Sequence, residues 1–163
     1  MTRAALPASA PHLPTTLPAA APTTPAQRPA YQKFDVRVAP SRIDGLGAYA
    51  AQNIGAGLKI GEIRGETISV DEARIRATRS ERIMIVELSA RRAIDFSKSA
   101  DPMRYVNHSC QPNARLSIDN GRVEFYALRA IALDEEITVD YGETHHDGKL
   151  ACLCGAAGCA GWL

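Results

Sequence analysis

The residues best equipped for chemistry lie in two stretches. One is "RYVNHSCQPN", residues 104–113, where an Asn, a His, a Ser and a Cys stand side by side before a proline. The other is "ACLCGAAGCAGWL", residues 151–163, with Cys152, Cys154 and Cys159 in a Cys-x-Cys-x4-Cys spacing. The chain has four cysteines, and the fourth is Cys110 of the first stretch. A bridge between Cys152 and Cys154 is strained, and no secretory leader is expected, so no oxidising compartment is indicated. Three thiolates in one Gly/Ala-rich loop instead suit a tetrahedral zinc site that needs a fourth ligand, and Cys110 closes the count. Unpaired thiols in a loose terminus are the bland alternative. The metal reading ties the C-terminal "AGWL" beside "YVNHSC", so two remote segments become one site.

The elements that must position these residues are mostly short strands. "YQKFDVRVAPS" alternates into a strand ended by Pro40, and strand-like segments with the glycine pairs Gly45/Gly47 and Gly55/Gly57 follow. "SVDEARIRATRSER", residues 69–82, reads as a helix that opens on a capping box of Ser69 and Glu72. "IMIVELSA" and "RRAIDFS" read as strands. "ARLSIDNGRVEFYALRAI" is a hairpin turning at "DNG", and "EEITVDYG" is a last short strand. Pro112 stops the ladder after His108 and turns the chain so that Cys110 faces the metal. Many short strands, one clear helix and no βαβ rhythm give a mainly β single domain.

At 163 residues the chain is long enough for one domain and too short for two. With 19 Lys+Arg against 18 Asp+Glu, the total charge gives no argument for nucleic acid or an acidic membrane surface. No apolar run approaches the roughly 20 residues of a membrane span. Residues 1–30 carry seven of the ten prolines and read as a disordered Pro/Ala/Thr tail, in which His12 needs no role. His145 and His146 read as part of a solvated loop.

These motifs carry a resemblance. "RYVNHSCQPN", then "EEITVDYG", then "CLCGAAGCAGWL", with "GLGAYAAQNIGAG" and "GEIRGETIS" upstream, closely resembles the SET-domain protein lysine methyltransferases that carry a cysteine-rich post-SET segment. The match covers roughly residues 35–163 and places a SET domain at 31–143 and a post-SET segment at 144–163. It implies a β-clip fold with few short helices, a C-terminal zinc-bound loop, and a pseudoknot between the NHSC segment and the last strand. It also implies S-adenosylmethionine as methyl donor and a protein lysine, on a histone or histone-like protein, as acceptor. By the resemblance, Gly45, Leu46 and Gly47 lend backbone to the cofactor's methionine end. Arg104, Tyr105, Asn107 and His108 line its amino-acid and adenine portions, and Trp162 lies over it. Tyr141 matches the catalytic tyrosine, with Tyr105 as a second catalytic candidate. Cys110, Cys152, Cys154 and Cys159 are the zinc ligands, and His108 is a hydrogen-bonding residue of the cofactor wall rather than a ligand.

Two departures stand out. Where many members read "EYxGE", this chain reads "EIRGE", with Ile63 and Arg64. Leu116 and Val139, at positions tied to product specificity, are not aromatic, so the degree of methylation is left open. The compact organisation resembles small stand-alone bacterial members, which implies a cytoplasmic enzyme or one exported to a host cell. Neither direct nucleic-acid binding nor a membrane is expected, and the oligomeric state is open. A catalytically weak, zinc-stapled binding module is the alternative. A zinc-bearing nucleic-acid module fares worst, for want of a basic stripe and with only 6% aromatics.

Overall fold

The computed structural model describes residues 28–80, 82–142 and 148–163. Most of the expected tail, and the loop with His145 and His146, lie outside the described residues. Arg28 and Pro29 already engage the domain: the Arg28 guanidinium donates to Asp35 and the Pro29 carbonyl accepts from Gln32 N–H.

Among the described residues, ten short strands form four small sheets. β1 (Val36–Pro40) and β2 (Leu46–Ala50) make an antiparallel hairpin around the Gly45 turn. Gly45 takes φ +46°, a left-handed value that favours glycine. β3 (Lys59–Ile63) joins β8 (Ala114–Asp119) and β9 (Arg122–Ala127) in the order β3-β9-β8. The "DNG" turn closes β8–β9 with Asn120 and Gly121 both at positive φ, the pattern of a two-residue type I′ hairpin.

β4 (Glu66–Ser69), β5 (Ile85–Ser89) and β6 (Arg92–Asp95) form a third sheet in the order β4-β6-β5. The helix α1 (Val70–Arg79) packs on it through Ala73 against Ile68 and Ala93. Ser69 caps α1 by accepting from Glu72 N–H, as a capping box requires. The Glu72 carboxylate, however, takes the Arg76 Nε–H one turn on. The helix stops at Arg79, short of the expected residue 82, where the Ser80 hydroxyl donates back to the Arg76 carbonyl and satisfies one of the orphan acceptors of the last turn.

The main core lies between these sheets and buries Ile54, Ile60, Ile63, Met103, Phe125, Ile131, Ile137 and Val139. Gly65, between β3 and β4, lies directly against β6: a Cβ there would stand 2.2 Å from the Asp95 carbonyl oxygen. Backbone cannot swing aside as a flexible side chain does, so Gly65→Ala is expected to destabilise the domain by about 2–3 kcal/mol. Thermal melting would register this as a fall of roughly 5–15 °C. An unchanged melting temperature would contradict the packing described. No helix among the described residues is long and apolar enough to cross a membrane.

The fourth sheet matters most for function. β7 (Asn107–His108) and β10 (Thr138–Val139) pair in parallel, and Ser109 N–H continues the ladder to the Val139 carbonyl. This is the pairing between the NHSC segment and the last strand that the resemblance implies. The mainly β arrangement of short strands with one clear helix expected from the sequence is the one observed.

Candidate active site and metal centre

The wall of the site is built by a short chain of local causes. Asp101 caps a 3-10 turn, Pro102–Tyr105, by accepting from Met103 N–H, and Pro102 fits the first turn because it has no N–H to satisfy. Met103, only 1% exposed, anchors the turn in the core. Val106 N–H closes it on the Met103 carbonyl and delivers Asn107 and His108 into β7. After His108 the ladder is brief: the Ser109 hydroxyl accepts from Gln111 N–H, and with Pro112 it turns Cys110 out of the sheet.

Asn107 holds the Gly45–Gly47 turn. Its amide Nδ2 donates to the Leu46 carbonyl at 3.1 Å and to Glu136 Oε1 at 2.8 Å, with the Asp44 carbonyl at 3.4 Å. Glu136 also accepts from the Ser41 and Tyr49 hydroxyls. Gly47 lies so close that a Cβ would stand 2.3 Å from Glu136 Oε1. A polar hub therefore sits under a turn of bare backbone, the kind of surface a ligand's polar end can approach closely.

Tyr141 stands two residues after the end of β10. Its hydroxyl donates to the Val106 carbonyl at 2.9 Å, while 47% of the residue is exposed, so the hydroxyl end is enclosed and the ring flank is open. Burial of the hydroxyl, reinforced by Asp44 and partly opposed by Arg82, pushes its pKa up to about 12. Asp44 and Arg82 form an exposed ion pair at 2.9 Å, and the Arg82 guanidinium lies 2.6 Å from where a Gly45 Cβ would be.

His108 lies behind Tyr141, with ring centroids 5.4 Å apart. Its Nδ1 accepts from Tyr141 N–H at 3.2 Å, and its Nε2 lies 3.3 Å from Cys110 Sγ. Burial holds its pKa below the usual imidazole range, with Asp140 opposing in part.

The four cysteines come together. Their Sγ atoms all lie within 4.8 Å of one another, with Cys110 3.8 Å from Cys152 and 3.9 Å from Cys159. A tetrahedron of sulfurs with metal–sulfur bonds of about 2.3 Å has edges of roughly 3.8 Å, so the donor set fits a soft tetrahedral cation. Ala160 N–H points at Cys110 Sγ and Gly161 N–H at Cys159 Sγ, donors that stabilise thiolate charge. Against the cost of burial, the backbone N–H groups of Cys110 and Ala156 draw the Cys154 thiol down to about 6, while burial pushes Cys152 up to about 12. Protons compete with a metal for such ligands, so affinity falls as the pH falls.

Two sequence-singled residues stand apart from this cluster. The Arg104 guanidinium is engaged by the Ser99 carbonyl at 2.7 Å and the Ser97 carbonyl, with its central carbon 5.2 Å from the ring centroid of Tyr105, which packs against the main core. Trp162 pairs with Ala151 through a backbone bridge and is 60% exposed. Ile63 is a core residue, and Arg64 covers the Tyr31 ring at 4.0 Å.

Sequence reasoning missed Glu136 and Asn113. Asn113, 2% exposed, donates to the Glu136 carbonyl and Glu135 and accepts from Thr138 N–H, which fixes the segment that delivers Tyr141. The Asn that follows Pro112 at the end of the motif was the one available signal.

The SET domain family pattern matches residues 45–142, more than half of the chain. The chain belongs to the SET-domain family. Over 144 residues it is 38% identical to an H3 lysine-4 specific histone-lysine N-methyltransferase of Emericella nidulans, covering 81% of this chain and 12% of the relative. It is 35% identical over 142 residues to the histone-lysine N-methyltransferase trr of Drosophila melanogaster, covering 79% and 6%. It is 37% identical over 129 residues to the histone-lysine N-methyltransferase ASHH1 of Arabidopsis thaliana, covering 73% and 26%. This SET chain thus spans well under a third of each of these relatives.

Proposed function

We propose that the chain is an S-adenosylmethionine-dependent protein-lysine N-methyltransferase acting on a histone or histone-like protein, with zinc on Cys110, Cys152, Cys154 and Cys159. The observation that carries this reading is the Tyr141 hydroxyl, fixed on the Val106 carbonyl beside the turn that Asn107 holds. The names of the relatives, all histone-lysine methyltransferases, support the acceptor class.

S-adenosylmethionine, when bound, supplies an electrophilic methyl on a cationic sulfur. Gly45, Leu46 and Gly47 would hold its methionine end through backbone, with Arg104, Tyr105, Asn107 and His108 along it and Trp162 over it. An acceptor lysine reaches the site protonated, with a pKa of about 10.4 in water. A positive charge about 4 Å away at an effective dielectric of about 20 opposes that ammonium by about 4 kcal/mol, roughly three pKa units. Water then suffices to take the proton, and no carboxylate–histidine base is needed. Tyr141 gives its hydrogen to Val106, so its hydroxyl oxygen's lone pairs would be free to orient a methyl held there, with Tyr105 as a second candidate contact.

Ile63 in the core, where many members carry a channel tyrosine, favours a second reading: a catalytically weak binding module with the same fold. A bacterial cytoplasmic enzyme, or one exported to a host, remains the proposed setting, supported by the resemblance to compact stand-alone members. The deciding experiment incubates the zinc-loaded chain with methyl-labelled S-adenosylmethionine and a panel of core histones, bacterial histone-like protein and lysate. Labelled methyl-lysine in a histone or histone-like protein is expected. Absence of label with the cofactor bound would favour the binding module.

A further inference from the structure

We propose that His108 is a positioning residue that couples the metal centre to Tyr141. The proposal rests on the reading of Tyr141 as the catalytic tyrosine and of the four sulfurs as zinc ligands. Its basis is the pair of contacts made by one ring. Tyr141 N–H is a donor and nothing else, so the Nδ1 atom it meets at 3.2 Å must be an acceptor and carries no proton. With Nδ1 bare, the ring's proton sits on Nε2, the atom 3.3 Å from Cys110 Sγ. Nε2–H therefore donates to the sulfur of a metal ligand. The Asp140 carboxylate does not compete, because it lies 3.7 Å from Nδ1 and its Oδ1 already accepts from Gly142 N–H.

The direction of these two bonds gives the imidazole a role that packing alone does not. A sulfur held by the metal carries thiolate charge in a fixed place, and hydrogen bonds to such ligands orient them and tune metal affinity. The same ring, so oriented, holds the backbone N–H of Tyr141, whose hydroxyl is fixed at its other end by the Val106 carbonyl. Metal occupancy and the placement of Tyr141 are thus linked through one side chain. Release of the metal frees Cys110, then the ring, then Tyr141.

The test separates the two ends of the ring. Asparagine places its amide where Nδ1 stands, and glutamine places its amide where Nε2 stands. The full chain is labelled with 15N-tyrosine, which gives five backbone amide signals, one per tyrosine. Zinc affinity is measured by competition with a chromogenic chelator. His108→Asn is expected to keep the Tyr141 amide signal near its wild-type position and to weaken zinc binding by about 10–100-fold. His108→Gln is expected to keep zinc affinity close to wild type and to move the Tyr141 signal. In the wild-type chain, stripping zinc should move the Tyr141 signal and leave Tyr31 and Tyr126 in place. Parallel losses in both variants with a common fall in melting temperature would make His108 a packing residue and overturn the proposal. No change in either readout, or the reverse pattern, would overturn it as well. Neither readout needs a methyl acceptor, so failure here is distinct from failure of the methyltransferase reading.

Discussion

Replacing Tyr141 with phenylalanine is expected to slow methyl transfer by about 10²–10³-fold while cofactor affinity stays within a few-fold of wild type. The substitution removes one oxygen. The ring keeps its place against His108, and the bond to His108 Nδ1 comes from backbone, so the wall of the site stands. What is lost is the hydroxyl that Val106 holds in one orientation. A pKa of about 12 also fixes the sign of the pH dependence: the hydroxyl keeps its proton until the pH approaches that value, so it is a neutral group at working pH. The ratio of wild-type to Tyr141→Phe rates should therefore be flat from about pH 7 to 10. A ratio that climbs through that range would mean a tyrosinate base and contradict the role assigned. An unchanged rate would remove Tyr141 from the chemistry altogether.

Stripping the metal is expected to release residues 148–163 from the domain and to weaken cofactor binding tenfold or more, with the β-core intact. The segment has little else to hold it. Its residues are exposed or half-buried, and its own backbone bonds are few, such as Cys152 N–H to the Gly161 carbonyl and Leu163 N–H to the Leu150 carbonyl. Structural zinc in small peptides contributes about 10–16 kcal/mol of apparent binding energy, far more than those bonds supply. The core, by contrast, buries Ile54, Ile60, Phe125 and Ile137 without help from the cysteines. Amide hydrogen exchange with and without chelator should rise across residues 150–163 and stay level across β2 and β9. Trp162, the single tryptophan, should report the same release by fluorescence. Protection of the C-terminal segment that survives removal of the metal would contradict this.

What the sequence made legible has physical reasons. Cysteine is chemically distinctive: three at close spacing, with a fourth to close the count in a chain without expected disulfides, point to a metal, and the structure brings all four sulfurs together. The Asn120–Gly121 turn and the Ser69 cap were equally readable, because each is a local event within four residues. Glu136 was not readable. Its partners Ser41, Tyr49 and Asn107 lie 95, 87 and 29 residues away, and nothing in "DEEITV" distinguishes the acid that caps the hub from its neighbour. The direction of a long side chain is hidden in the same way: the Arg104 guanidinium is set by the carbonyls of Ser97 and Ser99, which sequence cannot orient. The end of α1 depended on a single hydroxyl, Ser80, turning back on the helix.

Methyl transfer to lysine is tested most directly by counting both products in one vessel. Zinc-loaded chain, S-adenosylmethionine and core histones are incubated together. S-adenosylhomocysteine is then quantified alongside methyl-lysine in the hydrolysed protein. The account predicts one methyl group on lysine for each S-adenosylhomocysteine formed, with both products falling together in the Tyr141→Phe chain. S-adenosylhomocysteine without methyl-lysine, or neither product with the cofactor demonstrably bound, would contradict it.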